Sequence, residues 1–233
     1  MRQLVAGEPG NPVFRRALAA ALRRRGRSGE AVAALGRADT GDAVTWHERA
    51  LAQAGAGRLA EAAASDRRAI TLDPRLPEPH NHLGVLLARQ GKPGDALESF
   101  TAALALDPND ARAWNNRANA LRDLGRATEA EAAYRRAAEL SPLDPDPLNG
   151  LGVLAVQSGR PAEATASFRR ALELAPGMAE ARLNLAVALA QSGQTAEARR
   201  ELDGLLASAP EPELAAKARR LRSDLAAATN PIN

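Results

Sequence analysis

The feature that most constrains this chain is a period of thirty-four residues. Residues 77–110 and 111–144 share their punctuation. Each has a glycine mid-segment (Gly91, Gly125), an alanine five residues later (Ala96, Ala130) and an aromatic four further on (Phe100, Tyr134). A second alanine follows (Ala103, Ala137), then a proline near the end (Pro108, Pro142). A fixed period of this length marks an array of supersecondary units, not a compact enzyme. Within one unit the first half is apolar on a helical period through Leu83, Gly84 and Leu87. Gly91 predicts a turn, and Ala96, Phe100, Ala103 and Leu104 predict one face of a second helix. The Asp107-Pro108 step closes it, because proline resists the helix interior and biases its predecessor away from helix. Small residues at positions 8, 20 and 27 let the two backbones approach, and a large residue at position 24 fills the wedge they leave. One such hairpin cannot bury its apolar faces alone, so each must stack on the next.

The pattern occurs six times. Position 20 is Ala31, Ala62, Ala96, Ala130, Ala164 and Ala198; the turn glycines are Gly26, Gly57, Gly91, Gly125, Gly159 and Gly193. Position 8 is always glycine or alanine, and closing prolines stand at Pro74, Pro108, Pro142, Pro176 and Pro210. In these residues the chain resembles the tetratricopeptide repeat family, and bacterial scaffold modules of that family in particular. The resemblance implies an all-α fold, a right-handed superhelical solenoid of stacked antiparallel helix hairpins. The expected organisation is a flexible N-terminal segment over residues 1–11, six repeats over 12–212, a capping helix over 213–229 and a tail over 230–233. The first repeat is three residues short between Ala38 and Ala43, where Thr40, Gly41 and Asp42 predict a tight turn. The last helix places Leu214, Ala218, Leu221 and Leu225 on one side and charges on the other, as a terminal cap requires.

Composition narrows the functional classes. Aromatics are 3% of the chain, which argues against an aromatic-lined cofactor pocket. The absence of cysteine excludes disulfides and thiolate metal sites. No apolar run is long enough for a membrane span and residues 1–10 lack the core of a signal peptide, so a cytoplasmic location is expected. The cluster Arg23, Arg24, Arg25, Arg27 has no stacking aromatics beside it and reads as a solvated helix end. Arginine pairs at Arg67-Arg68, Arg135-Arg136 and Arg169-Arg170 are interrupted by Thr101-Ala102 in the third repeat, which argues against a phosphate-tracking stripe. The glycines are accounted for by the turns, and the three histidines all lie within residues 47–82 on stacking helices. No catalytic residues, cofactor, metal or nucleic-acid partner is expected.

Several positions depart from the pattern. In the second repeat, position 7 is Arg49 and position 24 is Asp66. In the family these positions face each other across the hairpin, so a partly buried Arg49–Asp66 ion pair is expected, with an exposed ligand pocket as the alternative. In the fourth repeat Arg117 at position 7 is expected to lie over the Tyr134 ring. Trp46 and Trp114 are expected to pack between helices. His47 at position 5 and His82 at position 6 of the next repeat stand close enough in the scheme to approach, but without a third carboxylate they make a poor zinc site.

The resemblance also implies a function, that of a non-enzymatic protein-interaction scaffold binding an extended peptide or partner surface in a concave groove. In the family the first helix of each repeat lines that groove. The corresponding residues are Asn81, His82, Arg112, Asn115, Asn116, Asn119, Arg122, Asn149 and Asn184. Asparagine offers both a donor and an acceptor to a peptide backbone, and Arg112 and Arg122 would favour an acidic partner. Asn116 and Asn184 fall where glycosyltransferase-linked repeats carry an asparagine ladder, which His82 and Gly150 interrupt here. The alternatives are a self-assembling structural module, with a homo-oligomer as the product, or a recruitment arm of a larger enzyme such as a glycosyltransferase, sulfotransferase or sulfatase.

Overall fold

The computed structural model describes residues 11–36 and 42–229. The expected N-terminal segment (apart from Asn11), the Thr40-Gly41 part of the short turn and the C-terminal tail lie outside the described residues. Thirteen helices are described: α1 (Pro12–Arg24), α2 (Ser28–Leu35), α3 (Ala43–Gly55), α4 (Leu59–Leu72), α5 (Pro77–Arg89), α6 (Pro93–Leu106), α7 (Ala111–Asp123), α8 (Ala127–Leu140), α9 (Pro145–Gln157), α10 (Pro161–Leu174), α11 (Ala179–Gln191), α12 (Thr195–Ala207) and α13 (Pro212–Thr229). Among the described residues there is no strand. The protein is an all-α helical repeat solenoid, and its contacts fall into two compact parts that meet in sequence between Leu124 and Gly125.

In the first part each helix from α1 to α6 packs on its successor, and the odd-numbered helices also touch the next odd one up to α7. In the second part α8 packs on α9, α9 on α10 and so on to α13, with α9 touching α11 and α11 touching α13. The turns between paired helices share one conformation. Gly26, Gly57, Gly91, Gly125, Gly159 and Gly193 all have φ between 69° and 78°, a region a side chain with Cβ enters only at a cost. The entry to the first helix of a repeat is capped where the sequence allows. Asp42, Asp110 and Asp144 each accept a backbone N–H two residues on. At position 4 a side chain reaches back to a proline carbonyl in three repeats. His80 Nε2 donates to Pro74 at 3.2 Å, Trp114 Nε1 to Pro108 at 2.9 Å and Arg182 Nη2 to Pro176 at 3.0 Å.

Size matching at position 24 governs the packing. Phe100, Tyr134 and Phe168 are fully buried there. A Cβ placed on Gly84 would meet the Phe100 ring at 2.5 Å, and one on Gly152 would meet Phe168 at 2.5 Å. These glycines are at position 8 of the same repeat as the ring. Gly150, at position 6 of the following repeat, faces Tyr134 at only 2.2 Å from such a Cβ. The ring therefore lodges against bare backbone of its own hairpin or of the next one. At the C-terminal end Leu202, Leu205 and Ala218 are buried together, with Leu214, Leu221 and Leu225 of α13 against them.

Two of the three arginine pairs, those of the fourth and fifth repeats, are tied to acids. Arg135 bonds Glu131, Arg136 bonds Glu139, Arg170 bonds Glu173, and Arg169 reaches Glu197 in the next repeat. Glu131 also accepts from Arg160 Nη2 at 2.9 Å, a clip between successive repeats of the second part. The hydrogen bond from Arg160, reinforced by Arg135, holds the Glu131 carboxyl below the usual carboxylate range against the opposing effect of burial. The folded carboxyl is the stronger acid, so its contribution is fully present above the unfolded value and is lost as pH falls through the folded one.

Two outcomes follow from this packing. Gly150→Ala should destabilise the chain by about 1–3 kcal/mol in urea melts, because the Tyr134 ring has no free direction. Gly94→Ala, where nothing lies within 4 Å of the new Cβ, should change stability by no more than about 0.5 kcal/mol. Arg160→Ala should lower stability at neutral pH, and the gap from wild type should narrow as melts are taken down through the acid range.

Candidate functional site

The second repeat carries Asp66 at position 24, where the third, fourth and fifth repeats have rings, and Asp66 has no exposed surface. A carboxylate smaller than a ring leaves part of the wedge unfilled, and a buried anion needs donors. Two imidazoles meet both needs. His47 of α3 places Nδ1 at 2.8 Å from Asp66 Oδ1, and His82 of α5 places Nδ1 at 2.6 Å from Oδ2. A carboxylate only accepts, so Nδ1 carries the proton in each ring. The rings meet edge to face with centroids 5.6 Å apart. Three consecutive helices, α3, α4 and α5, thus converge on one acidic group across the junction of the second and third repeats.

This arrangement corrects two expectations. Arg49 does not pair with Asp66. Its Nη1 donates to the Gly36 carbonyl at 2.7 Å, and its guanidinium lies 5.7 Å from the centre of the Trp46 ring. The histidine pair also does not lack a carboxylate, because Asp66 stands between its members. A third correction concerns Arg117, whose guanidinium lies 5.4 Å from the Trp114 ring centre. Arginine at position 7 and tryptophan at position 4 are neighbours on one helix turn, which brings the guanidinium over the ring of its own helix. Trp46 and Trp114 therefore serve as platforms for these arginines. The sequence carried a signal: tryptophan occurs at position 4 only in the two repeats with arginine at position 7.

Residues expected to line a groove divide between the two parts. In the first, Asn81, His82, Arg112, Asn115, Asn116, Asn119 and Arg122 stand on α5 and α7. Asn116 Nδ2 donates to Asn81 Oδ1 at 3.1 Å, and Asn81 Nδ2 reaches Asp110 Oδ2 at 3.4 Å. Asn115 Oδ1 is buried and accepts no hydrogen bond from the protein. Arg112 is exposed, and Arg122 bonds its neighbour Asp123 at 3.0 Å. His82 is drawn back to Asp66. In the second part Asn149 stands on α9 and Asn184 on α11, both half-buried. Asn149 Oδ1, at the same repeat position as Asn115, is likewise buried without a protein donor. His47, Asp66 and Asp110 were not expected among these residues. Asp66 and the two histidines are legible in hindsight as three departures at positions 24, 5 and 6 of adjacent repeats.

Family models described as tetratricopeptide repeat match residues 12–37, 82–145 and 155–221. Together they account for more than half of the chain, which belongs to the tetratricopeptide repeat family. Solved structures agree in fold. PilW, a widely conserved type IV pilus biogenesis factor, superimposes with a TM-score of 0.80 at 23% identity, covering 88% of this chain and 97% of that one. Pseudomonas aeruginosa PilF gives a TM-score of 0.67 at 24% identity, over 78% of this chain and 88% of that one. A thermophilic tetratricopeptide repeat protein of Thermus thermophilus, TTC0263, gives 0.63 at 26% identity, over 77% and 99%. No curated protein matches the sequence. Binding other proteins is the typical work of this family, and its members are typically non-catalytic. No helix among the described residues is long and apolar enough to cross a membrane.

The Asp66 junction makes a stability prediction. Asp66→Ala removes the acceptor from two imidazoles and should cost about 1–3 kcal/mol. Asp66→Phe alone should also destabilise, because His47 and His82 already occupy the ring's space. Adding His82→Gly, which copies Gly150 opposite Tyr134, should recover part of that loss. Arg49→Leu and Asp66→Asn should be additive in a double-mutant cycle, since the two side chains have separate partners.

Proposed function

We propose that this protein is a scaffold that binds an extended segment of a partner protein along the face formed by α5 and α7. The observation that carries the reading is the buried, unpaired Oδ1 of Asn115. A buried acceptor left without a donor is unfavourable, and rotation of the half-buried Asn115 amide toward the face would let a backbone N–H of an extended peptide supply what it lacks. The neighbouring Asn81–Asn116 pair keeps further amide groups on the same two helices. Asparagines recognise main chain more than side chain, so they give affinity with little sequence preference. Arg112, exposed at the start of α7, adds a preference for carboxylates in the bound segment. Within the second part, Asn149 Oδ1 offers the same type of acceptor.

The test uses an array of extended peptides with matched acidic and basic members. Wild-type protein should retain the acidic set, and affinities for a retained peptide can then be measured by calorimetry. Asn115→Ala, Asn116→Ala and Arg112→Ala should each weaken binding by roughly 0.5–1.5 kcal/mol with the melting temperature nearly unchanged. The arginine variant should also lose much of the discrimination between acidic and basic peptides. Affinity unchanged in all three folded variants would place the partner surface elsewhere.

A further inference from the structure

We propose that His47, Asp66 and His82 form a binding site for a divalent transition-metal ion of the Zn²⁺ class. This inference is independent of the peptide-binding reading. One donor atom from each of the three side chains lies within 4.8 Å of the others, and among the described residues this is the group that brings histidine and carboxylate together so closely. The two imidazole nitrogens are 2.8 and 2.6 Å from the carboxylate oxygens. Around a four-coordinate zinc, with bonds of about 2.0–2.2 Å, neighbouring donor atoms are separated by about 3.3 Å. The pairs therefore need to open by roughly half an ångström, a small rotation of each ring about its side-chain torsions.

The donor set suits the ion. Two imidazoles and one carboxylate are the three protein ligands of many zinc sites, with water in the fourth position. The balance of protons is simple. In each neutral imidazole the ring proton passes from Nδ1 to Nε2 by exchange with solvent, which frees Nδ1 to take the metal while the carboxylate supplies the third ligand. A doubly charged cation also compensates the charge of a buried carboxylate. Access is available because the His47 and His82 side chains keep 14% and 17% of their surface exposed while Asp66 keeps none. The ligands come from α3 and α4 of one repeat and α5 of the next, so the ion would staple two repeats together.

The experiment uses the full-length chain without a histidine tag, stripped with chelator and desalted. Zn²⁺ is titrated by calorimetry and Co²⁺ by visible absorption. The expected result is one ion per chain, Co²⁺ bands of low-coordinate intensity, and a thermal midpoint that rises with metal concentration. His47→Gln and His82→Gln, checked for helical content, should each weaken binding by at least about tenfold. His80→Gln, whose ring bonds the Pro74 carbonyl outside the cluster, should bind as wild type does. Absence of stoichiometric binding by the wild-type chain would overturn the proposal without recourse to any variant. Equal binding by wild type and both folded cluster variants would overturn it too, by assigning the ion to an adventitious surface site.

Discussion

The repeat array depends on what fills the wedge at position 24. Two helices crossing at close approach leave a gap that must be filled to interior density, and the filler touches both its own hairpin and the next. Where it is a ring, backbone must retreat. Gly84 and Gly152 do this within the hairpin, and Gly150 does it from the following repeat. A methyl group at any of these sites would stand inside contact distance of a fully buried ring. A ring at position 24 thus goes with a glycine at one of two places, position 8 of its own repeat or position 6 of the next, sixteen residues further on.

The second repeat satisfies the same volume constraint in the opposite way. Asp66 is small and charged, so the partners grow instead of shrinking. His47 at position 5 and His82 at position 6 of the next repeat supply both bulk and donors. A ring accepts modest repacking at little cost, but a buried carboxylate holds its partners to hydrogen-bond distance and direction. The junction of the second and third repeats is therefore fixed by geometry as well as by contact area.

Much of this fold was legible in the period itself. The small residues, turn glycines and closing prolines specify helix, turn and stacking with no knowledge of tertiary contacts, and the glycines and prolines fall between the helices. The departures were harder to read. Arg49 and Asp66 break the pattern in the same repeat and carry opposite charges, which makes them a natural pair on paper. The pairing fails because each has a nearer partner: Trp46 lies one turn away on the same helix, and His82 belongs to the next repeat. Reasoning one hairpin at a time hides contacts that cross a repeat boundary. The asparagines of α5 and α7 were visible in sequence, but only the fold separates Asn116, which has a donor–acceptor contact with Asn81, from Asn115, whose oxygen has none.

The two polar features of the first part share helix α5, and this gives the junction a consequence for the face beside it. His82 is held backward, to Asp66 of the preceding repeat, and Asn81 is held forward, to Asn116 of the following one. Adjacent residues on one helix are thereby committed to opposite neighbours. A slide or rotation of α5 that improved one contact would lengthen the other, so the helix has a single position that satisfies both. The Asn81 and Asn116 amides are consequently ordered in the free chain, and the entropy of fixing them is lost in folding. A purely apolar junction would bury as much surface, yet it would leave the register of that polar face to shape complementarity alone.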